Sequence, residues 1–209
     1  MRALVTGGSR GIGAAICAEF TARRIEVRTF SRSGTGEDAT KPEHRNSVKE
    51  AVGFCDILVN NVGGGGRYGT DQEVWAKNVE AMVDFTNWAL PGMCKNGWGR
   101  IVTISSIHGR ERGASRAIFS AAKAAQISYM KTTSGNEFYA RRGVTMNTVC
   151  PGNVKVDGKP LHPNMEALPM GRMGRPEEVA KLVAFLCSED AAWINGSCIV
   201  IDGGESYAI

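Results

Sequence analysis

The chain has 209 residues, of which 43% are apolar, and this length and composition fit one compact domain with a full hydrophobic core. Its 25 lysines and arginines against 21 acids give a net charge of +4, too small for the uniform basic field that nucleic acid or an anionic membrane would require. The six cysteines are scattered without a Cys-x-x-Cys pair, no apolar run approaches a membrane span, and no leader precedes the first strand, so we expect a cytoplasmic protein with buried, reduced thiols and no metal site.

The first predicted strand runs into the glycine-rich turn Gly7-Gly8-Ser9-Arg10-Gly11-Ile12-Gly13, which opens onto a helix. The glycines at Gly-x-x-x-Gly-x-Gly spacing let a phosphate approach backbone N–H groups, and the helix dipole also favours negative charge there. Glycine-rich turns also end strands for purely conformational reasons. We interpret the turn as a site for a nucleotide pyrophosphate. Its predicted cofactor residues are Gly7, Ser9, Arg10, Gly11, Ile12 and Gly13.

A second predicted strand, Ile25 to Phe30, ends at the polar turn Ser31 to Gly34. An acid at this place would bind the ribose hydroxyls of NAD, whereas an arginine accommodates the 2′-phosphate of NADP. Arg32 is present here without an acid, and Arg10 can add a second positive charge. The sequence therefore predicts NADP(H), with Ser31 and Arg32 in its site. The alternative is that both arginines are solvated loop residues.

The remaining elements alternate in type along the chain. The polar stretch from Gly34 to Glu50 predicts that the third strand and its helix are cut down. The other predicted elements are a short helix Asn46 to Val52, strand Cys55 to Val59, helix Asp71 to Met93, strand Arg100 to Ser105, helix Ile118 to Tyr139, strand Val144 to Cys150, a helix after Pro176, and strand Ile199 to Ile201. This alternation predicts an α/β fold, a single Rossmann-type doubly wound parallel sheet over residues 1–209, with ligands at the carboxyl ends of its strands.

The polar motifs taken together resemble the short-chain dehydrogenase/reductases, in particular NADP-preferring carbonyl reductases of the 3-oxoacyl-ACP-reductase type. The resemblance covers nearly the whole chain. The residues that carry it are Thr6 to Gly13, Asn60-Asn61-Val62-Gly63, Asn78, Ile104-Ser105-Ser106, Lys123, Pro151-Gly152 and Asp202-Gly203-Gly204. It implies NADP(H) as cofactor, reduction of a small-molecule ketone or aldehyde to an alcohol by hydride transfer, and a homotetramer paired through the helices that begin near Asp71 and Ile118.

The resemblance also implies a catalytic group formed by Ser106, residue 119, Lys123 and Asn78. In the family a serine polarises the carbonyl, a tyrosine donates the proton, and a lysine binds the nicotinamide ribose and lowers the pKa of the tyrosine. Residue 119 is Phe here, so the phenolic hydroxyl is absent. The other cofactor residues implied are Asp38 against the adenine, where a plain loop acid is the alternative, and Asn61, Gly63, Lys123, Pro151, Gly152 and Val154.

Two further departures accompany Phe119. Val156 stands where the family places a threonine that meets the carboxamide, and the lid region from Val156 to Leu168 is short. Tyr129 and Ser120 lie off the helix face shared by Phe119 and Lys123, so neither replaces the tyrosine. Two other side chains remain as candidate proton donors, Tyr68 and His108, although His108 also fits an ordinary loop residue at the rim.

Three functions are compatible with these departures. The first is NADP-dependent carbonyl reduction with impaired or altered proton donation. The second is cofactor binding without redox turnover, and the third is a non-redox elimination or isomerisation with His108 as the base. Four arginines, Arg67, Arg110, Arg112 and Arg116, further predict an anionic group on the substrate, unless they form a solvated face or pair with Glu111.

Overall fold

Six parallel strands form one sheet, in the order β2-β1-β3-β4-β5-β6. The computed structural model describes residues 1–64, 69–111, 116–156, 162 and 164–207. The strands are β1 Arg2–Thr6, β2 Glu26–Phe30, β3 Ile57–Asn60, β4 Gly99–Ile104, β5 Val144–Pro151 and β6 Cys198–Ile201. β3, β4 and β5 are buried at every position, as expected for parallel strands covered on both faces. The predicted doubly wound parallel sheet is confirmed.

Helices cover both faces of this sheet. They are α1 Gly11–Ala22, α2 Pro42–Val52, α3 Asp71–Trp75, a π-helical turn Ala76–Glu80, α4 Ala81–Asn96, α5 Ala117–Ser134, α6 Glu137–Ala140 and α7 Pro176–Leu186, with 3₁₀ turns at Ile107–Gly109, Met165–Ala167 and Glu189–Ala191. None of the helices that the structure describes is long and apolar enough to cross a membrane.

Neighbouring strand residues supply two separate cores, because successive side chains point to opposite faces of a sheet. Val5 packs with Phe20 of α1 and Val183 of α7 on one face. Leu4 packs with Phe85 of α4 and Met130 of α5 on the other. The helices packed on the two faces keep the strands aligned. The loops that follow the carboxyl ends of the strands therefore lie along the same edge of the sheet.

Three helix predictions need correction. The helix expected from Asn46 to Val52 begins four residues earlier, at Pro42, since proline is well accommodated in the first turn. The helix expected from Ile118 to Tyr139 ends at Ser134, because Asn136 accepts a hydrogen bond from the backbone N–H of Phe138 and begins the separate helix α6. The single helix expected from Asp71 to Met93 contains a π-helical turn and continues to Asn96. π-Helical turns within α-helices occur often at functional sites, and this one carries Asn78.

The shortening around the third strand is confirmed. Residues 31–56 are all described, and they contain turns and α2 but no strand, so β2 forms an edge of the sheet.

Candidate active site

An open cleft of about 1090 Å³ lies at the carboxyl ends of the central strands. Ser106 and Phe119 line this cleft. Asn78 does not, because it is fully buried behind the backbone of Gly63 and Gly64. The residues predicted to bind the cofactor all line the cleft, namely Gly7, Ser9, Arg10, Gly11, Ile12, Gly13, Ser31, Arg32, Asp38, Asn61, Gly63, Lys123, Pro151, Gly152 and Val154. Their roles stay predictions.

The glycine turn is held against the end of β3 by Asn61. Its Nδ2 donates hydrogen bonds to the carbonyl oxygens of Thr6 and Gly7, both at 3.0 Å. Gly13 packs directly under this contact, where an added Cβ would overlap the carbonyl oxygen of Gly7 and lie 2.5 Å from Asn61 Nδ2. The turn therefore forms a cradle so closely packed that a side chain at Gly13 would not fit. Its glycines line the cleft without side chains in front of the backbone, as binding of a phosphate to N–H groups requires.

Val156 lies over the same turn. A Cβ added at Gly11 would meet Cγ1 of Val156 at 2.8 Å. The side chain in the place of the family's threonine therefore contacts the phosphate cradle through methyl groups, which donate no hydrogen bond.

Charged side chains lie at the end of the cleft that is formed by the residues following β2. Arg32 is 82% exposed and lies 3.5 Å from Asp38. Burial alone would raise the pKa of Asp38, but hydrogen bonds from Thr40 and the charge of Arg32 lower it, so the carboxylate stays ionised. Lys77 also lines this end, and burial and the charge of Arg32 lower its pKa. Lys77 was not predicted as a site residue, although its place beside Asn78 in the sequence was a usable signal.

Lys123 is buried in the middle of the cleft wall and is held by hydrogen bonds. Its Nζ donates to the carbonyl oxygen of Ile104 at 2.9 Å and to Oε1 of Gln126 at 3.0 Å. Nε2 of Gln126 in turn donates to the carbonyl oxygen of Asn78 at 2.6 Å. Burial lowers the pKa of Lys123 to about 7. Gln126 thus links the amine to the π-helical turn.

The contacts of Asn78 and Gln126 add detail to the expected catalytic group, whose roles stay predictions. The side chain of Asn78 binds backbone, with Oδ1 accepting from Gly64 N at 3.1 Å and Nδ2 donating to Val74 O at 2.7 Å. Asn78 therefore positions the loop at Gly64 and offers only its carbonyl oxygen to the network. Gln126 was missed, and its only signal was a polar side chain three residues past Lys123 on the buried face of α5.

Replacement of Gln126 by Leu is expected to lower the pKa of Lys123 by about one pH unit, because the ammonium loses an acceptor contributing about 1.5 kcal/mol. NMR titration of ¹³Cε-labelled lysine measures this pKa in the protein alone. Gln126→Glu is the matched variant, since it keeps an oxygen beside Nζ and should move the midpoint upward. An unchanged midpoint in Gln126→Leu would reduce Gln126 to a space-filling residue.

Phe119 lies between the two polar side chains that approach it. The centroid of its ring is 5.7 Å from Nζ of Lys123 and 6.4 Å from the centroid of the His108 ring. Nδ1 of His108 is buried without a hydrogen-bond partner. Oγ of Ser106 accepts a hydrogen bond from the backbone N–H of His108 at 3.2 Å. Among the described residues, Lys123 and His108 thus bring ionisable groups to the Phe119 ring, and the role of His108 as a proton donor stays a prediction.

Neither of the two tyrosines considered as proton donors can be placed beside Phe119. The hydroxyl of Tyr129 donates to Oδ1 of Asn87 at 2.9 Å on the opposite side of α5, as its place on the helix predicts. Tyr68 lies outside the described residues.

Of the four arginines in the predicted cluster, the two that the structure describes, Arg110 and Arg116, do not line the cleft. Arg116 forms an ion pair with Asp71 and donates to the carbonyl oxygen of Gly69 at 2.9 Å, so it ties α5 to the start of α3. Arg67 and Arg112 lie outside the described residues. An anionic substrate group therefore stays a prediction.

Comparison with known proteins gives consistent matches over the chain. A family model described as enoyl-(acyl carrier protein) reductase matches residues 37–206. An acetoacetyl-CoA reductase of Rhizobium meliloti (strain 1021) is 35% identical over 240 residues, covering 99% of this chain and 98% of that protein. The 3-oxoacyl-(acyl-carrier-protein) reductase FabG of Vibrio cholerae is 34% identical over 235 residues, with 97% and 96% covered.

A solved structure gives the same result. A crystal structure described as a betaketoacyl-ACP reductase superposes with a TM-score of 0.86 at 28% identity, covering 98% of this chain and 97% of that one. The alignment with the Rhizobium protein spans 240 positions whereas this chain has 209 residues, so that relative contains segments that this chain lacks.

Proposed function

We propose a function from one established premise: the chain belongs to the short-chain dehydrogenase/reductase family. It is an enzyme of that family, and its relatives are named as reductases of acetoacetyl-CoA and of 3-oxoacyl groups on acyl carrier protein. We infer that this protein is an NADP-dependent oxidoreductase that reduces the ketone of a 3-oxoacyl thioester to a hydroxyl. The observation that carries the proposal is the cleft, where the glycine cradle, Arg32, Ser106 and Lys123 meet.

The residues present fit a dinucleotide. At Gly7 and Gly13 an added side chain would collide with neighbouring atoms. Arg32 extends an exposed guanidinium at one end of the cleft, and the buried amine of Lys123 lines its wall. When bound, the nicotinamide would supply the hydride. Gly7, Gly11 and Gly13 would hold the pyrophosphate, and Arg32 the 2′-phosphate.

Ser106 and Lys123 have separate tasks in this proposal. Because Oγ of Ser106 already accepts from His108 N, its hydroxyl hydrogen remains to polarise a substrate carbonyl. Lys123 is an ammonium below its pKa of about 7 and then attracts the hydroxyls of a ribose. Proton donation is the impaired step in this proposal, since Phe119 carries no hydroxyl. The imidazole of His108, which contacts the Phe119 ring, is the candidate to replace the missing donor.

Location and assembly are parts of the proposal. Each described cysteine is unpaired, which fits a cytoplasmic location. The homotetramer implied by the family resemblance would cover part of Phe138, which is 55% exposed.

The absent hydroxyl also favours a second candidate function. A member of the family that binds the cofactor without turnover would keep the cradle, Arg32 and Lys123 and could lose the phenol. A non-redox elimination or isomerisation would instead use His108 as the base. Absorbance in the nicotinamide band separates these functions: oxidation of NADPH with a 3-oxoacyl thioester supports reduction, and binding without oxidation supports the alternatives.

Arg32→Asp is expected to lower the affinity for NADPH by about tenfold or more while NADH affinity changes little, because a charge-assisted contact to phosphate contributes about 1.5–3 kcal/mol. Fluorescence titration with both nucleotides measures the ratio. Arg28→Asp is the matched control, since it makes the same charge change on β2 at a residue outside the cleft lining. Equal binding of both nucleotides by the parent, or an unchanged ratio in Arg32→Asp, would contradict the assignment.

A further inference from the structure

Two cysteines far apart in the sequence meet on neighbouring strands. In the register of β5 and β6, Thr148 pairs with Cys198 and Cys150 with Val200. Cys150 and Cys198 therefore point to the same face of the sheet. They are diagonal neighbours, because the partner of Cys198 is Thr148, two residues before Cys150. Their sulfur atoms lie 3.3 Å from each other. The two residues form a thiol pair that no local sequence motif announces.

One thiol of this pair is accessible and the other lies behind it. Cys198 is partly exposed and lines a surface cavity of about 390 Å³, together with Lys131 and Ser197. Cys150 is buried at the end of β5, directly before Pro151 of the main cleft. A small reagent entering the cavity meets Cys198 first.

The surroundings of the pair make the two thiols unequal. The pKa of Cys198 is lowered, chiefly by its hydrogen bond with Cys150 and also by the charge of Arg110, while burial acts in the opposite direction. The same contact, together with burial, raises the pKa of Cys150. Since the thiolate is the nucleophile, Cys198 is the attacking residue and Cys150 the resolving one.

Closure of a bond between them requires the sulfurs to approach and the strands to shift, because diagonal neighbours on adjacent strands have Cα atoms about 7–8 Å apart, slightly more than a disulfide spans. The sulfurs must approach by about 1.3 Å, from 3.3 Å to the ~2.05 Å of a disulfide. β6 can supply this movement, because it is a short edge strand whose four residues are all only partly buried.

We propose that Cys150 and Cys198 are a modification site that forms a reversible intramolecular disulfide when the protein meets a peroxide. The thiolate of Cys198 attacks hydrogen peroxide, an S–O bond forms as the O–O bond breaks, and the released hydroxide takes up a proton to give water. The sulfur of Cys150 then attacks the sulfenic sulfur of Cys198. An S–S bond forms as the S–O bond breaks, and the proton of Cys150 leaves with the hydroxide as a second water. Two thiols are oxidised by two electrons and the peroxide is reduced to two waters.

The experiment uses the full chain at pH 7 with equimolar hydrogen peroxide, followed by peptide mass mapping with and without dithiothreitol. The expected product is a linked pair of peptides containing Cys150 and Cys198, which separates on reduction. Cys198→Ser should abolish this product. Cys150→Ser should leave a sulfenic acid on Cys198 that dimedone traps.

Cys17 provides the matched control, because it is also partly exposed but its pKa is raised above the ordinary value, chiefly by burial. At pH 7 a larger fraction of Cys198 than of Cys17 is thiolate, because the pKa of Cys198 is lowered and that of Cys17 is raised, and this difference outweighs the lower nucleophilicity of the more acidic thiol. Cys198 should therefore react at least about fivefold faster than Cys17, and Cys17→Ser should form the disulfide normally. Should Cys150→Ser misfold by circular dichroism, Cys150→Ala takes its place.

Oxidation spread evenly over the six cysteines, or no linked peptide in the parent protein, would overturn the proposal. Neither result touches the proposed carbonyl reduction, because no step of the thiol chemistry uses the cofactor or the substrate.

Discussion

Phe119→Tyr is expected to raise the rate of 3-oxoacyl thioester reduction by at least about tenfold, because a positioned general acid contributes roughly 100- to 10,000-fold. The ring already lies beside Lys123, with 5.7 Å between its centroid and Nζ, so the buried amine is close enough to act electrostatically on an added hydroxyl. A neighbouring ammonium lowers the pKa of a phenol and readies it for proton transfer. Steady-state oxidation of NADPH measures the gain. The parent activity should be low but present, since orientation of the substrate does not depend on one hydroxyl.

The matched control is Phe119→Leu, which changes the ring without adding a hydroxyl and should bring no gain. If Phe119→Tyr brings no gain on any carbonyl while NADPH still binds, the cleft is no longer built for hydride transfer and the function without turnover holds. If the parent protein already turns over at ordinary rates, another donor has replaced the phenol, and His108→Ala or Tyr68→Phe should abolish activity.

Gly13→Ala should lower the free energy of unfolding by about 3 kcal/mol and weaken NADPH binding at least tenfold, because a methyl group there has no space. The added Cβ would overlap the carbonyl oxygen of Gly7 and lie 2.5 Å from Nδ2 of Asn61. Either α1 moves away from β1 or the contact between Asn61 and the glycine turn opens. Urea unfolding and nucleotide titration measure the two effects.

Gly135→Ala is the control for this substitution. Gly135 follows α5 with a φ of −76°, which other residues also adopt, and an added Cβ would meet its nearest neighbour at 3.5 Å. The free energy of unfolding of the Gly135→Ala protein should therefore differ from that of the parent by less than about 0.5 kcal/mol. A Gly13→Ala protein as stable as the parent would show that the cradle tolerates side chains, and the phosphate assignment would lose its physical basis.

The alternation of strands and helices along the chain and the position of the polar motifs at one rim could be predicted because each depends on local pattern. Apolar runs such as those before Gly7 and Asn61 mark buried strands, and the polar residues that follow them reach the same edge in a parallel sheet. The early end of α5 was missed for the opposite reason. Tyr139 continues the apolar spacing of the helix, and only the capping contact of Asn136 shows the break.

The contacts that were missed join residues distant in the chain. Gln126 meets the carbonyl oxygen of Asn78, and Cys150 meets Cys198, each across a sequence separation of 48 residues. Periodicity within one element predicts which face a side chain occupies, but not which residue of another element stands opposite it. Register between β5 and β6, and the rotation of α5 against the π-helical turn, are set by packing of the whole core.

The exposed edge of the sheet at β2 affects whether copies of the protein associate in concentrated solution. The outer side of this strand has backbone groups without a strand partner, and such an edge can template the addition of a foreign strand. Glu26 and Arg28 stand exposed on it, and their carboxylate and guanidinium pair at 3.3 Å. A strand docking there would have to strip water from both charges. Because residues 31–56 contain no strand, β2 forms an edge whose own charges oppose aggregation.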